Sequence, residues 1–312
     1  MHPGYANICG IEENALGELF AEYLGGGAAI REEKINQIRT WYDGYSWDGA
    51  SFLFNPFSLL SYFDMGVFKS FWYETGSPSF LIKLIKKDPS RYAVQEPYVI
   101  TEGSLDAADI DKLSFLPLMF QTGYLTVACR PKRADRYELK APNKEVDEAF
   151  HKHLLIALSE LPEESALKIS DSILDAFQDG APERLQPLLI SLFASIPYQL
   201  HIDAESYYHS IFFVLLKLIG ASISAEISVG LGRTDAVLKT SEYVYIMEWK
   251  YRKCDINATD EAKGRLLDKA AAEAGEQIKS KRYSKPYLAD RRKIIEVGVA
   301  VAARADVLVR VF

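Results

Sequence analysis

The chain has 312 residues, 48% of them hydrophobic and 25% charged, with 36 Lys and Arg against 43 Asp and Glu and a net charge of −7. This composition excludes a disordered or collagen-like chain. The length predicts two domains with a connecting segment. The net negative charge argues against a protein that coats nucleic acid by charge alone. The sequence lacks an apolar run of about 18 residues, a leader pattern and a paired cysteine framework, so we expect a cytoplasmic chain without a membrane partner.

The first segment is rich in aromatic residues, 14 of which lie between positions 41 and 80. Asn55-Pro56 predicts the start of a helix over 57–63, because proline is tolerated in a first helical turn. Core packing explains such aromatic residues without any chemistry. The alternative is an exposed interface for a protein partner. We expect this N-terminal part to be mainly α-helical.

The next segment predicts a small unit of helices and strands. Its pattern gives a helix over 115–121, a strand over 124–128, a return strand over 136–139 and a helix that Asn143 caps. This order of helix, hairpin and helix is compatible with a winged-helix-like unit. Helices interrupted by prolines follow, up to about residue 200.

The last segment predicts an alternation of helices and strands. The expected elements are a helix over 204–220, strands over 225–229, 234–239 and 243–251, a helix over 260–283 and a strand over 293–302. The short connections between the three strands predict hairpin pairing.

Charged residues interrupt the apolar third strand at Glu248-Trp249-Lys250. Side chains alternate along a strand, so Glu248 and Lys250 share one face and Trp249 points to the other. Asp235 begins the neighbouring strand, and hairpin pairing brings it close to Glu248. Two carboxylates and an ammonium suit Mg²⁺-assisted phosphodiester cleavage, because Mg²⁺ binds carboxylate and phosphate oxygens. A structural Glu–Lys ion pair is the alternative.

These residues resemble the motif of the PD-(D/E)XK nuclease superfamily. Gly232-Arg233-Thr234-Asp235 is followed, thirteen residues after Asp235, by Glu248-Trp249-Lys250. The predicted element order also resembles the superfamily core, which implies an α/β (α+β) domain with a restriction-endonuclease-like α-β-β-β-α-β fold. The implied function is hydrolysis of phosphodiester bonds in DNA with Mg²⁺ or Mn²⁺ as cofactor.

The resemblance also implies roles for individual residues. Asp235, Glu248 and the main-chain carbonyl of Trp249 would bind the metal, and Lys250 would position the attacking water. Two further residues match supporting positions of the superfamily: Glu205 matches an acidic residue of the first core helix, and Gln277 a glutamine of the second.

Basic residues near these motifs are candidates for contact with DNA. Residues 201–312 carry 18 basic and 15 acidic residues, a balance of +3, whereas residues 1–200 have a balance of −10. A solvated helix end is the alternative, because cations favour helix C-termini. The nucleic-acid candidates are Arg233, Lys279, Lys281, Arg282 and Lys285.

The rest of the chain resembles bacterial AAA-ATPase-like proteins with a C-terminal nuclease-type domain. The matching segments are residues 38–45, 54–58, 71–76, 121–125 and 142–146. The resemblance implies a lid-like region over 1–110, a winged-helix-like unit and helical connector over 111–200, and a nuclease-like domain over 201–312. The ATPase core and its phosphate-binding loop are absent from the sequence, so we expect no ATPase activity. A non-catalytic module that binds nucleic acid or protein is the alternative, and the oligomeric state is left open.

Overall fold

The computed structural model describes residues 3–72, 79–87, 98–105, 115–129, 136–196, 205–223, 226–228, 235–303 and 305–312. Contacts divide the chain into two units, Met1–Leu81 with Glu96–Phe150 and Ile82–Gln95 with His151–Phe312. The three-part division at residues 110 and 200 stays a prediction. No helix within the described ranges is both long enough and apolar enough to cross a membrane.

The first unit combines helices with a small antiparallel sheet. Its elements are α1 (Glu13–Leu19), α2 (Ala21–Leu24), α3 (Ala28–Tyr42), α4 (Pro56–Met65), α5 (Ser79–Lys87), β1 (Tyr98–Thr101), α6 (Glu102–Leu105), α7 (Phe115–Gln121), β2 (Thr126–Val127), β3 (Arg136–Lys140) and α8 (Lys144–Ser159). Both α5 and α8 begin in this unit and end in the second.

Aromatic side chains form the core of the first unit. Tyr42, Phe54, Tyr62 and Phe71 are all buried in one cluster, and the hydroxyl of Tyr42 donates to the carbonyl of Lys69 at 3.1 Å. The packing interpretation of this aromatic segment is therefore confirmed for these residues.

The predicted helix, hairpin and helix are present in the first unit. β2 pairs with β3, and β1 pairs with the other edge of β3, so the hairpin gains a third strand that the sequence did not predict. The side chain of Asn143 accepts a hydrogen bond from the main-chain N–H of Val146 at 3.1 Å, which confirms it as the N-cap of α8. The comparison with a winged helix stays a prediction.

The second unit contains a larger sheet between helices. After the shared helices come α9 (Glu163–Gln178), α10 (Leu185–Ser195), α11 (Glu205–Ile223), β4 (Glu226–Ser228), β5 (Ala236–Lys239), β6 (Tyr243–Arg252), α12 (Asp260–Lys281), β7 (Lys293–Ala302) and β8 (Asp306–Val311). In the described residues the strand order is β4-β5-β6-β7-β8, with β6 and β7 parallel and the other neighbours antiparallel. The predicted order of helix, three strands, helix and strand is confirmed, and β8 is an additional strand.

Both faces of β6 are covered, which explains its nearly continuous apolar sequence. On one face Val244 and Ile246 pack with Ile278 of α12. On the other face Tyr245 lies against Phe177 of α9, with ring centroids 4.9 Å apart, and its hydroxyl donates to the carbonyl of Phe177 at 2.6 Å. A charged side chain on β6 is consequently held inside packed layers.

Gly298 allows α12 to lie very close to the sheet. It pairs with Glu248 in the parallel register of β6 and β7. A Cβ at Gly298 would lie 3.0 Å from the carbonyl oxygen of Ala271 and 3.1 Å from the Cβ of Ala274. These are tight contacts with the main chain and one side chain of α12, and the same Cβ would lie 2.9 Å from the ring of Phe312. The missing side chain therefore allows a short distance between α12 and β7, the neighbour of the strand that carries Glu248.

Replacement of Gly298 by alanine should push α12 away from the sheet and lower the free energy of unfolding by about 1–3 kcal/mol. Gly264→Ala is the matched control in α12, because nothing lies within 4 Å of its added Cβ. This control should raise stability by roughly 0.5–1 kcal/mol through helix propensity. Urea unfolding of both variants measures the difference. Equal stability of Gly298→Ala and the wild type would contradict the close approach.

Candidate active site

Glu248 is the centre of a buried polar cluster on β6. It is only 2% exposed, and its Oε1 accepts hydrogen bonds from the Nζ of Lys250 at 3.0 Å and from the Nε2 of Gln277. Lys250 keeps 18% of its side chain exposed. The shared face of Glu248 and Lys250, which period-two alternation predicted, is confirmed.

Asp235 lies beside Glu248 because of the pairing between β5 and β6. Ala236 pairs with Met247 in antiparallel register, so Asp235, before Ala236, lies next to Glu248, after Met247. The Oδ2 of Asp235 accepts a hydrogen bond from the main-chain N–H of Trp249 at 2.7 Å. The two carboxylates therefore meet at the start of β5, as the hairpin interpretation predicted.

Gln277 reaches the site from α12. It lies one turn after the buried Ala274, on the helix face that packs against the sheet. Its Nε2 also donates to the hydroxyl of Tyr283 at 3.3 Å. Gln277 thus connects Glu248 with Tyr283, and its predicted position facing the sheet is confirmed.

Tyr283 and Arg252 belong to this region but were not predicted. Tyr283 follows the end of α12, where Arg282 adopts a left-handed φ of 53°, so helical spacing could not align it with Gln277. Arg252 forms an ion pair with Glu273 of α12 at the end of β6. Period-two alternation along β6 puts Arg252 on the same face as Glu248 and Lys250, so the sequence could have indicated Arg252 as a residue of this region.

The side chain of Trp249 lies on the face of β6 opposite to Glu248 and Lys250. Its ring packs against Phe212 of α11 with centroids 4.1 Å apart and against Phe193 of α10 at 6.3 Å. The ring is thus a core element, and its main chain contacts the site through the hydrogen bond to Asp235. A role for its carbonyl as metal ligand stays a prediction.

The remaining predicted residues lie outside this cluster or outside the described residues. Glu205 is the first residue of α11, but its side chain is outside the described part of the structure, as is the whole of Arg233. Lys279 places its ammonium 5.3 Å from the centroid of the Phe312 ring. Lys281, Arg282 and Lys285 are exposed after or near the end of α12.

Burial gives the site an unusual protonation balance. Burial first, and then the negative charge of Asp235, raise the pKa of Glu248 to about 7, while the hydrogen bond from Lys250 acts in the opposite direction. A carboxyl in this environment is more easily ionised when another positive charge is close.

The donor atoms of the site fit a hard divalent cation. Glu248 Oε2 is buried and has no hydrogen-bond partner among the described residues. Together with the adjacent carboxylate of Asp235 it offers oxygen ligands, and Mg²⁺ typically binds one or two carboxylates plus waters and phosphate oxygens. Across the described ranges no group of three or more His, Cys, Asp or Glu side chains could hold a metal.

Comparison with known proteins identifies the domain around this site. A family model of the PD-(D/E)XK nuclease superfamily matches residues 203–310, a range that includes Asp235, Glu248, Lys250 and Gln277. These residues therefore carry a domain of that superfamily, with the mixed α/β content described above.

The similarity to a longer protein extends beyond this domain. The chain is 32% identical over 303 residues to a protein of Azotobacter chroococcum mcd 1 with the name "Uncharacterized protein in vnfD 5'region". The match covers 95% of this chain and 54% of the relative, so the chain spans about half the length of that protein. No solved structure matches the chain.

The raised pKa of Glu248 predicts a stability that depends on pH. Because the folded-state pKa of about 7 exceeds the unfolded value, this contribution is complete below about pH 4 and is lost as pH rises through 7. Metal-free protein should lose roughly 2–3 kcal/mol between pH 5 and pH 8 through this group. Glu248→Gln should lack that loss.

Urea unfolding in a chelating buffer at both pH values measures this effect. Glu276→Gln is the matched control, since Glu276 is the exposed neighbour of Gln277 on α12. The control should keep the wild-type pH dependence. The same pH slope in Glu248→Gln and the wild type would show that Glu248 titrates normally.

Proposed function

We propose that the domain at residues 203–310 is a divalent-metal-dependent nuclease that hydrolyses phosphodiester bonds in DNA. The observation that carries the proposal is the arrangement of Glu248. Lys250 and Gln277 hold one of its oxygens, and the other is buried without a partner among the described residues, beside Asp235. A structural ion pair would need only Glu248 and Lys250. The nearby carboxylate of Asp235 adds nothing to such a pair and makes burial of the Glu248 charge more costly.

The proposed roles follow from these contacts. Asp235, Glu248 and the main-chain carbonyl of Trp249 would bind Mg²⁺ or Mn²⁺. When bound, the ion polarises the phosphate and makes a water molecule easier to deprotonate. Glu205, at the start of α11, would add a third carboxylate.

Lys250 and Gln277 would act through their hydrogen bonds. The ammonium of Lys250 has three N–H donors, and one is directed at Glu248, so the others can orient the attacking water or stabilise charge on the phosphate. Gln277 fixes Glu248 Oε1 and thereby keeps Oε2 oriented for a ligand.

DNA would reach this site along the basic surface near the end of α12. Lys281, Arg282 and Lys285 are exposed there, and Gln277 lies within about one helical turn of the first two. Arg233, two residues before Asp235, is included in the proposal by sequence position. Contacts of this kind bind phosphates independently of base sequence.

The proposal for the rest of the chain is broader. We propose that residues 1–110 correspond to the lid region of an AAA-ATPase-like protein and residues 111–200 to a winged-helix-like unit and connector. The relative from Azotobacter chroococcum is long enough to contain further domains, since the match covers 54% of it. The three free cysteines fit a reducing compartment such as the cytoplasm.

Cleavage assays test the site directly. With Mg²⁺ or Mn²⁺ titrated on single-stranded, double-stranded and structured DNA, Asp235→Ala and Lys250→Ala should lower the rate by about 100-fold or more. Gln277→Ala should lower it by about 10- to 100-fold, because it orients a ligand instead of supplying one. Glu276→Ala, next to Gln277 but exposed, should cleave normally.

Two outcomes would contradict this function. Wild-type cleavage by both Asp235→Ala and Lys250→Ala would remove the site from the reaction. DNA binding without cleavage at any concentration of either metal would favour the non-catalytic binding module instead.

Salt dependence tests the basic surface. The double variant Lys281→Ala with Lys285→Ala should reduce the slope of log affinity against log salt by about 2, at roughly 0.9 for each phosphate that is no longer neutralised. The control is Arg265→Ala with Lys269→Ala, two exposed basic residues in the first half of the same helix. Fluorescence anisotropy with a non-cleaved duplex measures both slopes. An unchanged slope in the first variant would mean that these residues are only a solvated helix end.

A further inference from the structure

The first unit contains a pocket that the nuclease proposal does not use. Its volume is about 300 Å³, and the described residues that line it belong to the first unit. The walls include the rings of Tyr45, Trp47 and Trp72, and the polar groups include Asn55, Gln121 and Thr122. Segments far apart in sequence therefore converge on one cavity, and these are segments on which the resemblance to AAA-ATPase-like proteins rests.

Gly123 lies next to two of these rings. It adopts a φ of +81°, and an added Cβ would lie 3.4 Å from the ring of Trp72 and 3.7 Å from the ring of Tyr45. Both aromatic rings therefore lie close to the main chain at Gly123.

A buried carboxylate lies directly behind this wall. Glu145 is 0% exposed, and its Oε1 accepts hydrogen bonds from the main-chain N–H of Trp72 at 2.6 Å and from the hydroxyl of Ser58 at 3.0 Å. Burial raises the pKa of Glu145. The ionised carboxyl is, after burial, the second cause that raises the pKa of Tyr45. A cation bound beside this wall would favour the ionised form of Glu145.

The described lining offers no cationic side chain to an anionic ligand. No Lys, Arg or His is among the described residues that line the pocket. Sites that stack nucleic-acid bases combine aromatic rings with a basic groove for the phosphates, and that groove is missing from this lining. Aromatic faces near a carboxylate instead attract cations. The volume is at the small end for ligand pockets, which fits a group the size of one side chain.

We propose that this pocket binds an organic cation, a guanidinium or alkylammonium group the size of an amino-acid side chain, against the rings of Tyr45, Trp47 and Trp72. The site is separate from the nuclease chemistry and would recognise its ligand by cation–π contact and by the field of Glu145. Asn55, Gln121 and Thr122 would supply the polar contacts at its walls.

A comparison of charged and neutral probes tests the proposal on the full chain. N-acetyl-arginine amide should quench or enhance tryptophan fluorescence saturably and bind about 3- to 10-fold tighter than N-acetyl-citrulline amide, its neutral isostere. The exposed Cys9 lines the pocket, so the arginine probe should slow its alkylation by iodoacetamide. Alkylation of Cys254, in the second unit, should be unchanged.

Substitution of Gln121 by residues of opposite charge gives a matched pair of variants. Gln121 is an exposed lining residue, so both substitutions should leave the fold intact. Gln121→Glu should tighten binding of the arginine probe by about 2- to 5-fold at low ionic strength, and Gln121→Lys should weaken it by a similar factor, with both effects smaller in high salt. Glu145→Gln should also weaken binding.

The outcomes separate the site from its alternatives. Absence of saturable binding, equal binding of the citrulline probe, or a shift of both Gln121 variants in the same direction would overturn the proposal, as would stronger protection of Cys9 by thymidine than by the arginine probe. Free arginine distinguishes the source of the cation. Tighter binding of the capped probe than of free arginine assigns the pocket to a polypeptide side chain, and the reverse assigns it to a small molecule.

Discussion

The buried carboxylate of Glu248 must be compensated by the residues packed around β6. β6 is covered on both faces, so a charge on it is removed from water and must be compensated inside the protein. Lys250 supplies the charge and Gln277 a hydrogen bond, while Asp235 is tied to the same strand through the N–H of Trp249. These partners come from β6, from α12 and from the residue before β5. The packing that brings these three elements together therefore also assembles the proposed site.

Much of this arrangement could be predicted from the sequence because it depends on local periodicity. Alternation along β6 gave the common face of Glu248 and Lys250, and helical spacing put Gln277 on the sheet side of α12. The short hairpin between β5 and β6 brought Asp235 close, since few registers are compatible with so short a connection. The order of helices and strands followed for the same reason.

Features that depend on an irregular turn of the chain or on distant pairing could not be predicted in this way. Tyr283 reaches Gln277 only because the chain turns at Arg282, and a left-handed residue at a helix end has no periodic signal. The strand β1 completes the sheet of the first unit from a position far before the hairpin it joins. The pocket beside Glu145 is another example, because Ser58 and Trp72 meet that carboxylate across 87 and 73 residues of sequence. Single-sequence patterns indicate elements but not which of them meet.

The close approach at Gly298 has a consequence for engineering this protein. Filling a cavity usually stabilises a fold, but Gly298 has no cavity beside it, and its missing Cβ lets the alanine-rich face of α12 pack on β7 with Gln277 next to Glu248. A larger side chain at Gly298 would move α12 away from the sheet and increase the distance between Gln277 and Glu248. Thermal stability and site geometry consequently both depend on the distance between α12 and β7. Stabilising substitutions should therefore be made on the solvent-exposed face of α12, which does not affect that distance.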